Sequence, residues 1–446
     1  MIKVYRRIVS VILLTVFLSS IGAVNVQNPS GNPDNLFPKN PSSNADYTVK
    51  TNGSTCWAVQ PDGNISFQSP DASYVINSCL SQLAATSGGT LYIDKAEYLI
   101  TSKIVIPQSI KTNSGERAYI EIASNRAVLK IDKKLGENAI ELVASAPHYS
   151  LKISGLSVFC HSKIPSYYAL NVENAMYVFL QDIELGWEGL CIKNTDSIWI
   201  DNLYAVDCAG EGLKLDNVGY CWASDFFVDN CGGWGGFAGY NAVLLKESTR
   251  LFFSDFNVFG EKGLYGGQEN GIYLDTVGFS SFSNFQIDGF KKSSIVAEGC
   301  QRLTFSNFEL VGADEHPFTL TSNTKYPTES IHISNFNIYV NNGKDGLAFH
   351  SQNGKGIQYV TVSDGFIFGK GNGITLSDDA SACCQDITVS NTVLNVTDYG
   401  VHEGGTSDFN TFSGVNTRAA PNGMHTVGDS TKVVSSWNCS TWILQS

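Results

Sequence analysis

The sequence predicts an all-β chain, a single-stranded right-handed parallel β-helix of about eleven coils with a short N-terminal capping α-helix. Two observations carry that expectation. One line, Φ-x-Φ-Ser-(Asn/Asp)-Φ-x-Φ with Φ apolar, returns roughly every 26 residues: "RLFFSDFNV" (250–258), "RLTFSNFEL" (302–310), "ESIHISNFNI" (329–338) and "QDITVSNTVL" (385–394). Between its returns stands a shorter strand led by a small residue, as in "LCIK" (190–193), "GLKL" (212–215), "AVLL" (242–245), "GIYL" (271–274), "GLAF" (346–349) and "GITL" (373–376). Such short period-2 strands bury too little to fold alone, so neighbouring units must stack.

Each element follows from this unit. Equivalent strands of successive coils pair in parallel at about 4.8 Å, which gives a rod roughly 50 Å long, and parallel connections within one sheet favour a right-handed course. After Ser the line carries Asp225, Asp255, Asn284, Asn307, Asn335, Asp364 and Asn391, and two earlier units carry Asp182 and Asn202. A short polar side chain there suits a bend in αL geometry and is expected to bond backbone groups of neighbouring coils. In "DASYVINSCLSQLAATSGGTLYID" (71–94) the apolar residues Val75, Ile76, Cys79, Leu80, Leu83 and Ala84 recur at helical spacing, with Asp71 as N-cap and Gly88-Gly89 as the stop. This helix is the expected cover for an open sheet end, with the cap spanning about 71–100.

The 446 residues are 43% hydrophobic and 16% charged, enough for a large core. A formal charge of −13 without a basic cluster excludes a typical nucleic-acid binder. Lys3, Arg6 and Arg7 precede an apolar run from Ile8 to Ile21, then Gly22 and Ala23, so residues 1–23 read as a secretory signal peptide, with an uncleaved anchor as the alternative. Residues 24–46 are Asn/Pro/Ser-rich and read as a disordered linker, and 47–446 as the β-helix domain. The expectation is a secreted or cell-surface protein with no membrane association after cleavage; nothing here sets its oligomeric state. Asn52, Asn64, Asn395 and Asn438 stand in glycosylation sequons. Most of the 11 cysteines read as small inward-facing hydrophobes, although pairing among Cys208, Cys221 and Cys231 is open. Adjacent Cys383 and Cys384 are poorly placed to bond each other, and no Cys has zinc-like spacing.

The Asp-led helix, Gly-Gly, a strand, a Tyr-containing strand and then coils with a stacked Asn position resemble the pectin-lyase-like superfamily, and most closely the N-terminal signature of the pectate-lyase superfamily. The resemblance covers about 70 to 430. One departure is Asp94-Lys95-Ala96-Glu97, where that signature has Pro-x-Gly before the Tyr. The resemblance implies a polysaccharide partner, and chemistry on the outer face of the first strand and its flanking loops.

Alternation then names the candidates. In "GLKLDN" the leucines point inward, so Lys214 and Asp216 point out; by the same rule Lys193, Lys246, Tyr273 and Asp275 do so on adjacent coils, with Glu247 and Arg250 in the next turn. Two long Gly-rich loops, 229–241 and 259–271, are expected to bring Trp234, Phe237, Tyr240 and Tyr265 to the rim, where flat rings could meet sugar rings. A hydrolase would use two carboxyl groups, Asp216 and Asp275 first and Glu247 third. A lyase would use Lys214, Lys246 or Arg250, with Ca²⁺ held by Asp216, Glu247 or Asp275 in some enzymes of this kind. Otherwise no cofactor is expected. A non-catalytic adhesion or tailspike-like glycan binder is the other class open to this sequence. Strict family motifs fail: Asn194-Thr195-Asp196 follows the short strand where the hydrolase motif would precede it, and reads as a turn; Asp378-Asp379 is also out of phase. His316, His402 and Glu403 fall near the same face but far from the aromatic loops, and read as surface residues.

Overall fold

The computed structural model describes residues 45–446 except 109, 111–117, 146–148, 161–166, 234–238, 261–267, 342, 353, 378–382, 418–419, 427–429, 438–441 and 445–446. The expected signal peptide and nearly all of the expected linker lie outside them.

The chain winds into a β-solenoid of about 11 turns, a right-handed parallel β-helix in which the described strands after the N-terminal segment pair in parallel. Three sheets run along it. Sheet A collects the short strands, among them Leu170–Glu173, Val243–Lys246, Ile272–Asp275, Ile295–Glu298, Phe318–Thr321, Leu347–His350 and Ile374–Ser377. Sheets B and C are the two halves of the recurrent line, before and after its Asn/Asp. Some strands turn the corners unbroken: Leu190–Val206 serves all three sheets in turn. At the N-terminus Tyr47–Thr51, Cys56–Val59 and Ile65–Ser69 form an antiparallel meander, and Tyr47–Thr51 joins Gly88–Ile93 in parallel. Helix α1, Ala72–Thr86, begins where the Asp71 side chain accepts from the Ser73 backbone N–H at 2.9 Å. Its apolar face, Val75, Ile76, Cys79, Leu80 and Leu83, joins the core.

All nine Asn/Asp bend positions have φ between 47° and 56°. In this region short polar side chains are least costly after glycine. The expected bonding to neighbouring backbones is corrected. The bend side chains bond one another up the rod, Asn202 Nδ2 donating to Asp182 Oδ1 at 2.7 Å, Asn284 to Asp255 at 3.1 Å, Asn307 to Asn284 at 3.2 Å and Asn391 to Asp364 at 3.3 Å. An amide has both a donor and an acceptor, so it can continue such a chain in either direction, whereas a carboxylate only accepts.

Asp225 and Asp255 therefore break the run. They stand on successive coils as two acceptors, and burial, then Asp255, then Asp201 raise the Asp225 carboxyl above its ordinary value. Asp255→Asn is expected to stabilise the protein by about 0.5–1 kcal/mol at neutral pH, since its amide can donate to Asp225 while still accepting from Asn284. The sign with pH follows from the raised value. Above it the ionised pair costs stability; as pH falls through it Asp225 binds a proton and the cost disappears. The variant's advantage, read by chemical denaturation, should therefore shrink on acidification.

The small residue leading each short strand has a steric cause: a Cβ on Gly189 would lie 2.1 Å from the Glu211 carbonyl oxygen of the next coil. Inside the rod, phenylalanines form columns. In sheet C, Phe226, Phe256, Phe285, Phe308 and Phe336 stack at 4.5, 4.7, 4.9 and 5.6 Å between centroids. The column stops at Gly365, the register partner of Phe336, where a Cβ would meet the Phe336 ring at 2.1 Å. The ten described cysteines are free thiols and nine of them are buried, which decides against pairing among Cys208, Cys221 and Cys231. Burial pushes Cys79, Cys191 and Cys300 up to about 12.

Candidate functional site

The outward face of sheet A carries two rows of side chains. In Leu213–Ser224, Leu213 and Leu215 are buried while Lys214 and Asp216 face outward. Register then sets Glu173, Lys193, Asp216, Lys246, Asp275 and Glu298 one above another on six successive coils. Lys214, Leu244, Tyr273 and Val296 form the neighbouring row. The structure thus brings together Lys193, Lys214, Asp216, Lys246, Tyr273 and Asp275, and adds Glu298, which the sequence reading passed over although "SIVAE" has the phase of "GIYLD".

Charge is held loosely along this face. Lys193 Nζ is 3.7 Å from Glu173 Oε1, and Lys246 Nζ is 3.9 Å from Glu247 Oε1. Among the described residues neither Lys214 nor Asp216 has an ion pair. Asp275 Oδ1 accepts from the Thr276 hydroxyl at 2.8 Å. The Tyr273 hydroxyl donates to the Glu298 carboxylate. Burial first, and this acid second, hold the phenol above its ordinary value, so it is a neutral donor at physiological pH.

The other candidates lie around this row. Glu247 sits in the αL corner that follows it, with φ 47°. Arg250 lies across that corner at the start of sheet B, its guanidinium carbon 4.8 Å over the Tyr220 ring. Tyr240 is at the opposite rim, bridged to Gln268 and six residues before Lys246, at most about 20 Å of extended chain. Trp234, Phe237 and Tyr265 fall outside the described residues, as do Asp378 and Asp379. Asn194, in the segment expected to be a turn, occupies an αL corner and accepts from Asn217 Nδ2 of the next coil at 2.9 Å.

A second polar zone lies further along the same face. His316, expected as a surface residue, has Nδ1 3.3 Å from Asp345 Oδ2 and accepts the Asp345 backbone N–H at 3.2 Å. Its ring meets His350 edge-on at 5.3 Å, and His350 Nδ1 is hydrogen-bonded to Ser377 Oγ. His402 stacks on His425 at 5.0 Å, beside Tyr399. Thr375 Oγ1, buried in the row between Ala348 and His402, has no hydrogen-bond partner among the described residues. Burial, then the charge of a neighbouring histidine, lowers His350 and His402, which keeps both imidazoles neutral at pH 7. His350 ends "GLAFH" in the phase in which Asp216 ends "GLKLD", so the alternation rule carried three coils beyond Asp275 would have found it.

A Ca²⁺ ion needs several oxygens converging on one point. Asp216 and Asp275 are separated by Lys246, Glu247 lies past the corner, and no three His, Cys, Asp or Glu among the described residues form a metal-holding group. The proposed donors do not fit that ion. No described helix is long and apolar enough to cross a membrane.

No known family model matches the sequence, and no curated protein is similar to it in sequence. Solved structures are. Tailspike protein 3 of bacteriophage CBA120 superposes with a TM-score of 0.54 at 11% identity, over 84% of this chain and 60% of that one. The Agl-KA catalytic domain gives 0.51 at 12% identity, over 93% and 70%. The A-module of the mannuronan C-5 epimerase AlgE6 of Azotobacter vinelandii gives 0.36 at 11% identity, over 83% and 96%. The likenesses to the tailspike and to the Agl-KA catalytic domain show the fold alone, a right-handed parallel β-helix.

Proposed function

We propose that the protein is exported and binds a polysaccharide along the outward face of sheet A, cleaving it by hydrolysis with carboxyl groups of the Asp216–Glu298 row. The observation that carries this reading is the six-coil row to which these groups belong: four carboxyl groups, Glu173, Asp216, Asp275 and Glu298, and two lysines, Lys193 and Lys246, in vertical register on an open face. The fold shared with a tailspike and with a catalytic domain is in keeping with it.

The coil spacing sets two usable separations. Asp275 and Glu298 are on adjacent coils, about 5 Å apart at the backbone, which matches the carboxyl spacing of a retaining glycosidase. Asp216 and Asp275 are two coils apart, about 10 Å, near the upper end of the inverting range. In the first arrangement one carboxyl protonates the glycosidic oxygen while its partner attacks the sugar carbon. In the second the partner activates a water. Asp275 belongs to both. Lys193, Lys214 and Lys246 would bind hydroxyl or acid groups of the sugar, and the Tyr273 hydroxyl, hydrogen-bonded to Glu298, would hold that carboxyl group in place.

The test is a panel of neutral and acidic polysaccharides incubated with the purified protein. Hydrolysis is read as new reducing ends without ultraviolet absorbance from unsaturated sugar. Unsaturated ends would replace hydrolysis by elimination. Binding without any turnover would leave the adhesion or tailspike-like reading.

A further inference from the structure

Across the corner from the carboxyl row, one stack stands apart from the groove. Successive coils place Tyr220, Arg250, Phe279 and Arg302 over one another at the leading edge of sheet B. The Arg250 guanidinium carbon lies 4.8 Å from the Tyr220 centroid and 6.0 Å from that of Phe279, and the Arg302 carbon 4.6 Å from Phe279. Two of the three arginines among the described residues of this −13 chain are gathered here. Both are exposed, and neither guanidinium has an ion-pair or hydrogen-bond partner among the described residues.

The backbone makes this choice of residues costly. Arg250, Phe279 and Arg302 have φ of 55–56°, a region in which bulky side chains are disfavoured and strain tends to mark function. Further along, Ser330, Tyr359, Asp386 and Phe409 take the same corner, so the fold imposes the conformation but not the side chain, and what sets Arg250 and Arg302 apart is their charge and their stacking on Phe279. Phe279 is 47% exposed, yet its two faces are turned toward guanidinium groups. It serves as a spacer and leaves little ring face for a sugar. The stack offers solvent two flat forks of N–H donors, held about 10 Å apart along the rod axis and matched to oxyanions.

We propose that this stack is a binding strip for a polysaccharide bearing acidic groups, carboxylates or sulfate esters, that runs parallel to the rod axis. Lysine is a poorer substitute at such a site because it lacks the planar fork. The strip rests on the polysaccharide reading but not on the groove's chemistry.

Affinity electrophoresis at low and high salt tests it, with polygalacturonate, its methyl ester and dextran sulfate as probes. The wild type should hold polygalacturonate or dextran sulfate at least tenfold tighter than the ester, and the tighter of the two names the acid group. Arg250→Gln with Arg302→Gln should lower affinity for the acidic probe by about tenfold or more and leave the ester unchanged. Raised salt should erode the wild-type advantage. Lys95→Gln with Lys133→Gln makes the same change in net charge at exposed sites elsewhere; equal loss in that control overturns the strip. Phe279→Asn suits the αL corner, so its melting temperature should hold or rise while acidic binding falls several-fold. Unchanged binding in both strip variants overturns the proposal and leaves the groove reading standing. Failure of every glycan to bind removes the polysaccharide reading itself.

Discussion

Asp275→Asn is expected to lower turnover by about 10²–10⁴-fold while polysaccharide affinity changes little. The side chain keeps its size and its bond from Thr276, so the coil should not move, but it can neither ionise nor give up a proton. Its neighbours divide the mechanism. If Asp275 works with Glu298, Glu298→Gln should match the loss and Asp216→Asn should be mild; if it works with Asp216 across Lys246, the order reverses. Product stereochemistry gives an independent reading, with retention expected in the first case and inversion in the second. Full activity in all three variants would place the chemistry elsewhere on the face, with the neutral imidazoles around His350 the next groups to remove.

Phe308→Ala is expected to cost about 3–5 kcal/mol, the largest stability effect of any single change considered. Phe308 is 4% exposed, and its ring lies between Phe285 at 4.9 Å and Phe336 at 5.6 Å, nearly parallel to both. Truncation removes the burial of a whole ring, leaves a cavity the rigid coils cannot close, and parts two stacked pairs worth about 0.5–1.5 kcal/mol each. Phe308→Leu refills most of the space and should cost much less. Guanidinium denaturation of the two variants provides the measure; near-equal midpoints would show that the column adds nothing beyond generic burial.

The coiling was legible because it is written as a repeated local pattern. The nine Asn/Asp positions were readable one at a time, since αL geometry is a property of a single residue. What joins coils was not readable in that way. Arg250, Phe279 and Arg302 touch only after return loops of unequal length are excised, and the same holds for His316 meeting His350. Glu298 and His350 were missed for a different reason. Their phase is written in "SIVAE" and "GLAFH", but those coils lack the long Gly-rich aromatic loops that mark 229–241 and 259–271 in the sequence. The bonding between bend side chains was also inaccessible from single coils, because Asn284 finds Asp255 only through vertical register.

Each coil gives the outward row of sheet A a single side chain, whatever the length of loop that carries the chain back. The rod is therefore a ruler with fixed gradations. Lengthening a return loop alters what borders the track without changing the interval between reacting groups, and moving a carboxyl group by one gradation switches the spacing from one that suits direct attack to one that admits a water molecule. Stereochemical outcome in such a scaffold can change by a one-residue exchange on a neighbouring gradation, with no rebuilding of the backbone.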